Sequence, residues 1–284
     1  MSYGYSVSNL VLPLSSSNIT FLLSGTPIPP IDYSGSTSFL QDNRMDKVVN
    51  FGPQDLSSDT LDIDIDFGAA VALGGFAILN QNFSTVGCNC TVIASAASDY
   101  SSPVTAKAAT PLYGTAPRSK DHALQFPTVT KRYWRLRFDN GDAVTPYIGE
   151  VWAFGASVTL PRGSIYGSGE TEEFFGPEVD FSNGNKTAFL LGGPLRTKNY
   201  QFADLSLSDR DAFLSLWRST KGFTSPFLWL EDIESTNVAA TAAAQECIFG
   251  RLELPQFAWA QDDFGIYQPG SPFNIRSLGR EVGA

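Results

Sequence analysis

Between residues 61 and 67 the chain reads Leu-Asp-Ile-Asp-Ile-Asp-Phe. This strict alternation puts Leu61, Ile63, Ile65 and Phe67 on one face of a strand and Asp62, Asp64 and Asp66 on the other. A sheet face turned to water accounts for the three aspartates better than a calcium ladder, because calcium takes its ligands from a tight loop. The same period returns at 132–138, where Tyr133, Arg135 and Arg137 alternate with Trp134, Leu136 and Phe138. Further strands are predicted at Val71–Leu79, Cys90–Ala94 and Tyr147–Gly155, separated by turns at Asn80–Ser84 and Asp139–Asp142. Short strands and irregular turns without a strong helix predict a β-sandwich over 36–155, with Trp134 and Trp152 as core anchors.

Residues 1–35 are rich in Ser and Pro and are expected to form an arm and linker, the arm adding a strand to a neighbour. Residues 156–284 form a second, α+β region with a single convincing helix, which begins near Leu207 and ends at Lys221 and Gly222. Ser208 is the expected cap, and Phe213 and Trp217, four positions apart, are expected to plug the core beneath the helix. Pro226–Leu230, Glu246–Leu254 and Gln256–Ala260 read as strands of the same region.

Composition narrows the function. Nineteen Lys and Arg stand against 29 Asp and Glu, for a net charge of -10, which argues against a binder of nucleic acid or anionic membranes. No run approaches the roughly 20 apolar residues that span a bilayer, and Met1–Leu14 lacks the basic and apolar regions of a signal peptide. Cys88, Cys90 and Cys247 have no zinc spacing and suit buried small side chains in a reducing cytoplasm. No cofactor or metal is expected. The one histidine, His122, follows Arg118-Ser119-Lys120-Asp121 and is expected at the surface. Glu170, Glu172 and Glu173, and Glu231, Asp232 and Glu234, sit on polar segments that supply neither the separation nor the desolvation a glycosidase pair needs. An enzyme is therefore not expected.

Ser38–Arg44, Leu61–Gly68, Leu79–Ser84, Arg132–Phe138 and Ile148–Gly155 together resemble a discoidin or galactose-binding-like jelly roll. The version they resemble is the one found in minor tail proteins of long-tailed bacteriophages, and Tyr133–Leu136 followed by Ile148–Trp152 carries most of the likeness. Phe189–Arg251 is similar to the distal-tail and tail-tip proteins of such phages, whose helix and strand pairs build a tail-tube-like split barrel. The resemblance implies a structural protein of the virion, made in the host cytoplasm, that joins the tail tube to the host-recognition apparatus at the tail tip or baseplate. Its partners would be copies of itself in a ring, six in preference to three, and the neighbouring tail-tube and tail-tip proteins. Genome DNA would only pass through the lumen, which an acidic wall favours. No membrane insertion is implied.

The alternative is a carbohydrate-binding adhesion module that touches a host-surface glycan. Its ligand would lie on loops at one end of the sandwich, against Asp42, Asn43, Arg44, Asn80, Asn82 and Tyr147. The same residues also read as ordinary turn formers, since Asn and Asp tolerate left-handed backbone.

Overall fold

The structure, a computed structural model, describes residues 3–11, 14–29, 48–112, 121–160, 169–173, 178–180, 186–188, 195–202, 205–222, 224–231, 239, 244–253, 259–261, 267–269 and 273–277. The first twelve strands are β1 (Tyr3–Ser6), β2 (Ile19–Leu23), β3 (Thr26–Pro27), β4 (Val49–Asn50), β5 (Gln54–Asp55), β6 (Leu61–Leu79), β7 (Asn89–Ser95), β8 (Val104–Pro111), β9 (His122–Asp139), β10 (Ala143–Val144), β11 (Tyr147–Ile148) and β12 (Glu150–Phe154). They are followed by β13 (Val158–Leu160), β14 (Gly169–Glu173), β15 (Glu178–Asp180), β16 (Lys186–Ala188), β17 (Leu195–Tyr200), α1 (Leu207–Ser219), β18 (Phe227–Leu230), β19 (Gln245–Leu252), β20 (Trp259–Gln261), β21 (Tyr267–Pro269) and β22 (Phe273–Ser277). The chain is mainly β, as the alternations predict. Its contacts divide it into one unit of residues 1–159 with 228–247 and a second of 160–227 with 248–284.

In the first unit the alternation at 61–67 does not stop at Phe67. β6 continues to Leu79 and pairs antiparallel with β9 along nearly its whole length, from Leu61 opposite Phe138 to Ile78 opposite His122. The register shifts between Asp66 and Val71, beside Gly68, whose φ of 75° is costly for any side chain. The register shifts again between Leu73 and Gly75, and across this bulged stretch the ribbon bends, its two halves pairing with different strands. Its first half joins β2 and β7, with β8 beyond β7; its second half joins β12 on one side and Gln245–Glu246 on the other. The apolar faces meet in one core in which Ile63, Ile65, Leu136 and Val92 pack with Phe76, Ile78, Leu124 and Val151. Trp134, fully buried, lies 5.7 Å from Phe76 and 5.8 Å from Phe126, and its Nε1 donates to the Lys131 carbonyl at 3.0 Å. Gly75 is required beside β12, because a Cβ there would come within 2.2 Å of the Phe154 ring.

The aspartate face is paired with arginines across the ribbon rather than simply solvated. Asp62 lies opposite Arg137 and Asp64 opposite Arg135, 70-odd residues away along the chain but adjacent across the ribbon. Arg137 holds Asp62 through Nε and Nη2 at 2.8 and 2.9 Å, and Arg135 holds Asp64 at 2.6 and 2.7 Å. Arg135 also reaches Asp62 at 3.3 Å, and Arg132 forks onto Asp66 at 2.7 and 2.9 Å. Tyr100 caps the row, with the Arg135 guanidinium 4.2 Å from its ring centre. The expected solvated face is thus an ion-pair ladder, buried at the Asp62 end.

The N-terminal residues are strands of this chain's own sheets. β1 pairs with β18, Gly4 opposite Leu230 and Ser6 opposite Leu228, and β2 pairs with β6 from Ile19 opposite Ile65 to Leu23 opposite Leu61. The arm expected to serve a neighbour is therefore occupied within the chain. By the same pairing, residues 228–230, expected in the second region, lie in the first unit.

In the second unit β14, β17, β22 and Gly250–Leu252 of β19 form an antiparallel sheet. A closed split barrel is not among the described pairings. Glu170, expected on a flexible acidic segment, sits in β14 opposite Lys198 and pairs with Arg196. The helix is capped two residues earlier than expected. Ser206 Oγ accepts from the Asp209 amide at 3.3 Å, and Asp209 Oδ2 accepts from the Ser206 amide at 2.8 Å. Gly222, at φ 71°, donates to the Trp217 carbonyl at 2.8 Å and ends it as predicted. Asp209, Phe213 and Leu216 form the buried stripe, with Phe213 4.8 Å from Phe202 and 5.4 Å from Phe273. Trp217, turned about 100° from Leu216, is only half-buried, so the plug is Phe213 with Leu216 rather than Phe213 with Trp217. No helix of the described residues is long and apolar enough to cross a membrane.

The ladder generates a prediction. Asp62→Ala leaves Arg137 without its carboxylate and removes the second partner of Arg135, and is expected to cost about 2–3 kcal/mol, whereas Asp66→Ala at the exposed end should cost about 1 kcal/mol or less. Urea titrations of the two variants measure the difference.

Candidate functional site

Because the β6–β9 ribbon is folded at its bulge, both of its ends arrive at one end of the sandwich. The segments that leave or approach those ends, 49–59, 80–88 and 139–149, are gathered there. Backbone pairing knits them together. β4 pairs with β11, Val49 opposite Ile148, and β5 pairs with β10, Asp55 opposite Ala143. The Phe51 amide donates to the Pro146 carbonyl at 3.0 Å and the Gly141 amide to the Leu56 carbonyl at 3.2 Å. Phe83 plugs the end from within, stacked on Phe138 at 4.3 Å. Outward, the same loops present exposed Asp55, Thr85, Asn140, Asp142 and Thr145, and half-buried Gln54 and Tyr147. The rim is rich in acceptors and hydroxyls, with one aromatic ring and, among the described residues, no cationic side chain. Ser57 hydrogen bonds hold the Asp55 carboxyl below its ordinary range, while burial raises that of Asp139. Such a surface suits hydrogen bonding to hydroxyls, with a ring to lie against.

The predicted residues take different places. Asp42, Asn43 and Arg44 lie outside the described residues. Asn80 is buried, left-handed at φ 48°, with its amide donating to Asp121 Oδ1 at 2.8 Å. Asn82 does reach the loop end, but its side chain is spent on backbone: Nδ2 donates to the Thr145 carbonyl and Oδ1 accepts from the Tyr147 amide, both at 2.9 Å. It staples the loop that carries Tyr147. Tyr147 is therefore the predicted residue best placed to meet one. Gln54, Asp55 and Thr145 were missed, because their segments carry no motif and become neighbours only through β5–β10 and β4–β11. Of the core anchors, Trp134, Trp152 and Phe213 are buried.

Buried titratable side chains of this unit include His122, Lys107, Cys88 and Cys90. His122, expected at the surface, is 3 % exposed, because it opens β9 between Ile78 of β6 and Glu246 of β19. Its Nδ1 lies 3.1 Å from Gln81 Nε2, which as an amide can only donate, so this nitrogen is the unprotonated acceptor. Burial pulls the ring's pKa down to about 4. Lys107 is fully buried opposite Val92, its Nζ donating to the Ala239 carbonyl at 2.9 Å, and desolvation draws its pKa down to about 8. Cys88 and Cys90 are buried free thiols; burial pushes Cys88 up to about 12 and Cys90 well above its ordinary value, which leaves both unreactive. No cluster of three His, Cys, Asp or Glu among the described residues could hold a metal ion.

No protein-family model matches the chain, and no curated protein matches it. Among solved structures, it is similar to chitosan-binding module 1 of a chitosanase/glucanase from Paenibacillus sp. IK-5. That match has 16% identity over 52% of this chain and 99% of that one, at a TM-score of 0.34. A fucose-binding module of Streptococcus pneumoniae matches at 17% identity over 52% of this chain and 98% of its own, TM-score 0.36. A Clostridium perfringens module solved with GalNAc-β-1,3-galactose matches at 12% over 52% and 100%, TM-score 0.37.

The buried histidine predicts a pH dependence. The unfolded ring titrates near 6.5 and the folded one near 4, so the unfolded state binds more protons between these values. The histidine's contribution is thus fully present above about pH 6.5 and is lost as pH falls to 4, by about 3 kcal/mol. Urea titrations of the parent and His122→Asn at pH 7 and pH 4 should show a steeper acid loss in the parent.

Proposed function

We propose that the first unit is a carbohydrate-binding module whose ligand lies across the loops 49–59, 80–88 and 139–149. The observation that carries this reading is the loop end itself: segments 49–59 and 139–149 are fixed by strand pairing, 80–88 is tied to them by Asn82, and together they present hydroxyl, carboxylate and amide groups and Tyr147. A hydroxylated ring needs such a pre-ordered mixture of acceptors, donors and one flat apolar surface. The solved structures named above include modules described as binding chitosan and fucose, but at TM-scores of 0.34 to 0.37 that likeness lends the reading no weight. The ring-forming tail-tip role implied by the resemblance gains nothing from these comparisons. The strand at Phe227–Leu230, which overlaps the Pro226–Trp229 strand that the resemblance assigned to a tail-tube barrel, lies between β1 and β19.

Binding of the full chain to a glycan array, followed by calorimetry with the best saccharide, tests the proposal. Tyr147→Ala and Asp142→Ala should each weaken binding roughly tenfold or more, about 1.4 kcal/mol, with the fold intact. Silence on every glycan, or binding untouched by both substitutions, would overturn it.

A further inference from the structure

Tyr147 is half-buried, and the backbone that carries it is held from two sides. On one side β11 pairs with β4, Tyr147 opposite Asn50 and Ile148 opposite Val49, and the Phe51 amide donates to the Pro146 carbonyl. On the other side stand three consecutive residues, 80–82. The Tyr147 amide donates to Asn82 Oδ1 and Asn82 Nδ2 donates to the Thr145 carbonyl, both at 2.9 Å. Two places further on, the Gly149 amide donates to the Leu79 and Asn80 carbonyls at 3.0 and 3.1 Å, an approach so close that a Cβ on Gly149 would come within 2.9 Å of Asn80 Cβ.

The same three residues are anchored behind the rim, at the start of β9. The Asn80 amide donates to Asp121 Oδ1 at 2.8 Å, and Gln81 Nε2 lies 3.1 Å from His122 Nδ1. His122 is itself fixed between Ile78 and Glu246, and the Cys247 amide donates to the Asp121 carbonyl at 3.3 Å. Gln81 is fully buried and His122 nearly so, and neither can reach a ligand at the rim. A buried amide facing a buried imidazole adds little net stability over an apolar pair of that shape, but its bond is directional and selects one arrangement. Its consequence is placement. An aromatic ring held in position before the ligand arrives spares the complex the cost of ordering it.

We infer that Asn82 is the positioning residue for Tyr147, and that the buried Gln81–His122 pair, acting through Asn82, sets how tightly the rim holds a saccharide. The inference rests on the carbohydrate reading.

Calorimetry at pH 7 with the saccharide that binds the parent best tests it, together with the Tyr147 amide resonance of the isotope-labelled chain in the absence of saccharide. His122→Asn keeps an acceptor for Gln81 and is expected to bind within about twofold of the parent, whereas His122→Leu removes it and should bind about fivefold more weakly. Asn82→Ala should weaken binding by about fivefold as well, and serves if His122→Leu does not fold. In a Tyr147→Ala background Asn82→Ala should cost almost nothing further, because the ring it places is gone. The Tyr147 resonance should move in His122→Leu and stay in place in His122→Asn. The inference is overturned by a folded Asn82→Ala that binds like the parent or costs as much without Tyr147 as with it, or by His122→Leu and His122→Asn binding alike. A parent that binds no glycan, while the Tyr147 resonance follows His122 as described, would sink the carbohydrate reading and leave the positioning intact.

Discussion

The first unit depends on one ribbon, the antiparallel pairing of residues 61–79 with 122–139. Its two strands run through both halves of the core, so a one-residue slip in their register would move their core residues to the wrong face. Hydrophobic alternation alone tolerates a slip of two residues, because the same face stays buried. The ladder of Asp62, Asp64 and Asp66 against Arg137, Arg135 and Arg132 does not, because a slip of two would strand a buried carboxylate at one end. The charges therefore select among registers that burial alone would leave equivalent.

From that register follow the positions of the loops. The bulge at 66–71 folds the ribbon, brings both its ends to the same side, and so gathers 49–59, 80–88 and 139–149 into one rim. Phe83 on Phe138 closes the core beneath the rim, and Asn82 ties the 145–147 backbone to it. The rim is thus an outgrowth of strand pairing. At the other margin of the sheet, Asn9 turns an open edge into a satisfied one by bonding to the Val151 carbonyl and the Ala153 amide.

Much of the fold was legible in the local pattern. The alternations at 61–67 and 132–138 marked the central strands and the inward face of Trp134, and Asp139–Asp142 marked a turn at the loop end. What escaped were relations between distant residues. The aspartates looked like a wet face because their arginines stand some 70 positions away and only cross-strand register joins them. His122 looked exposed because its neighbours before it are polar, yet it begins a strand with partners on both sides. The Ser- and Pro-rich N-terminal stretch looked like a free arm because nothing local reveals that Asn9 matches an edge more than 140 residues downstream. Asn82 lies at the loop end, but whether an amide faces a ligand or a backbone is decided by the fold around it.

The central claim is that a saccharide is held at the rim built by the folded ribbon. Amide chemical-shift mapping of the isotope-labelled chain, titrated with the saccharide that binds it best, locates the contact without any substitution. The account predicts shifts concentrated in 49–59, 80–88 and 139–149, with the ladder around Tyr100 and Arg135 quiet. Shifts centred on that ladder, or on the second unit, with the rim unmoved, would contradict it.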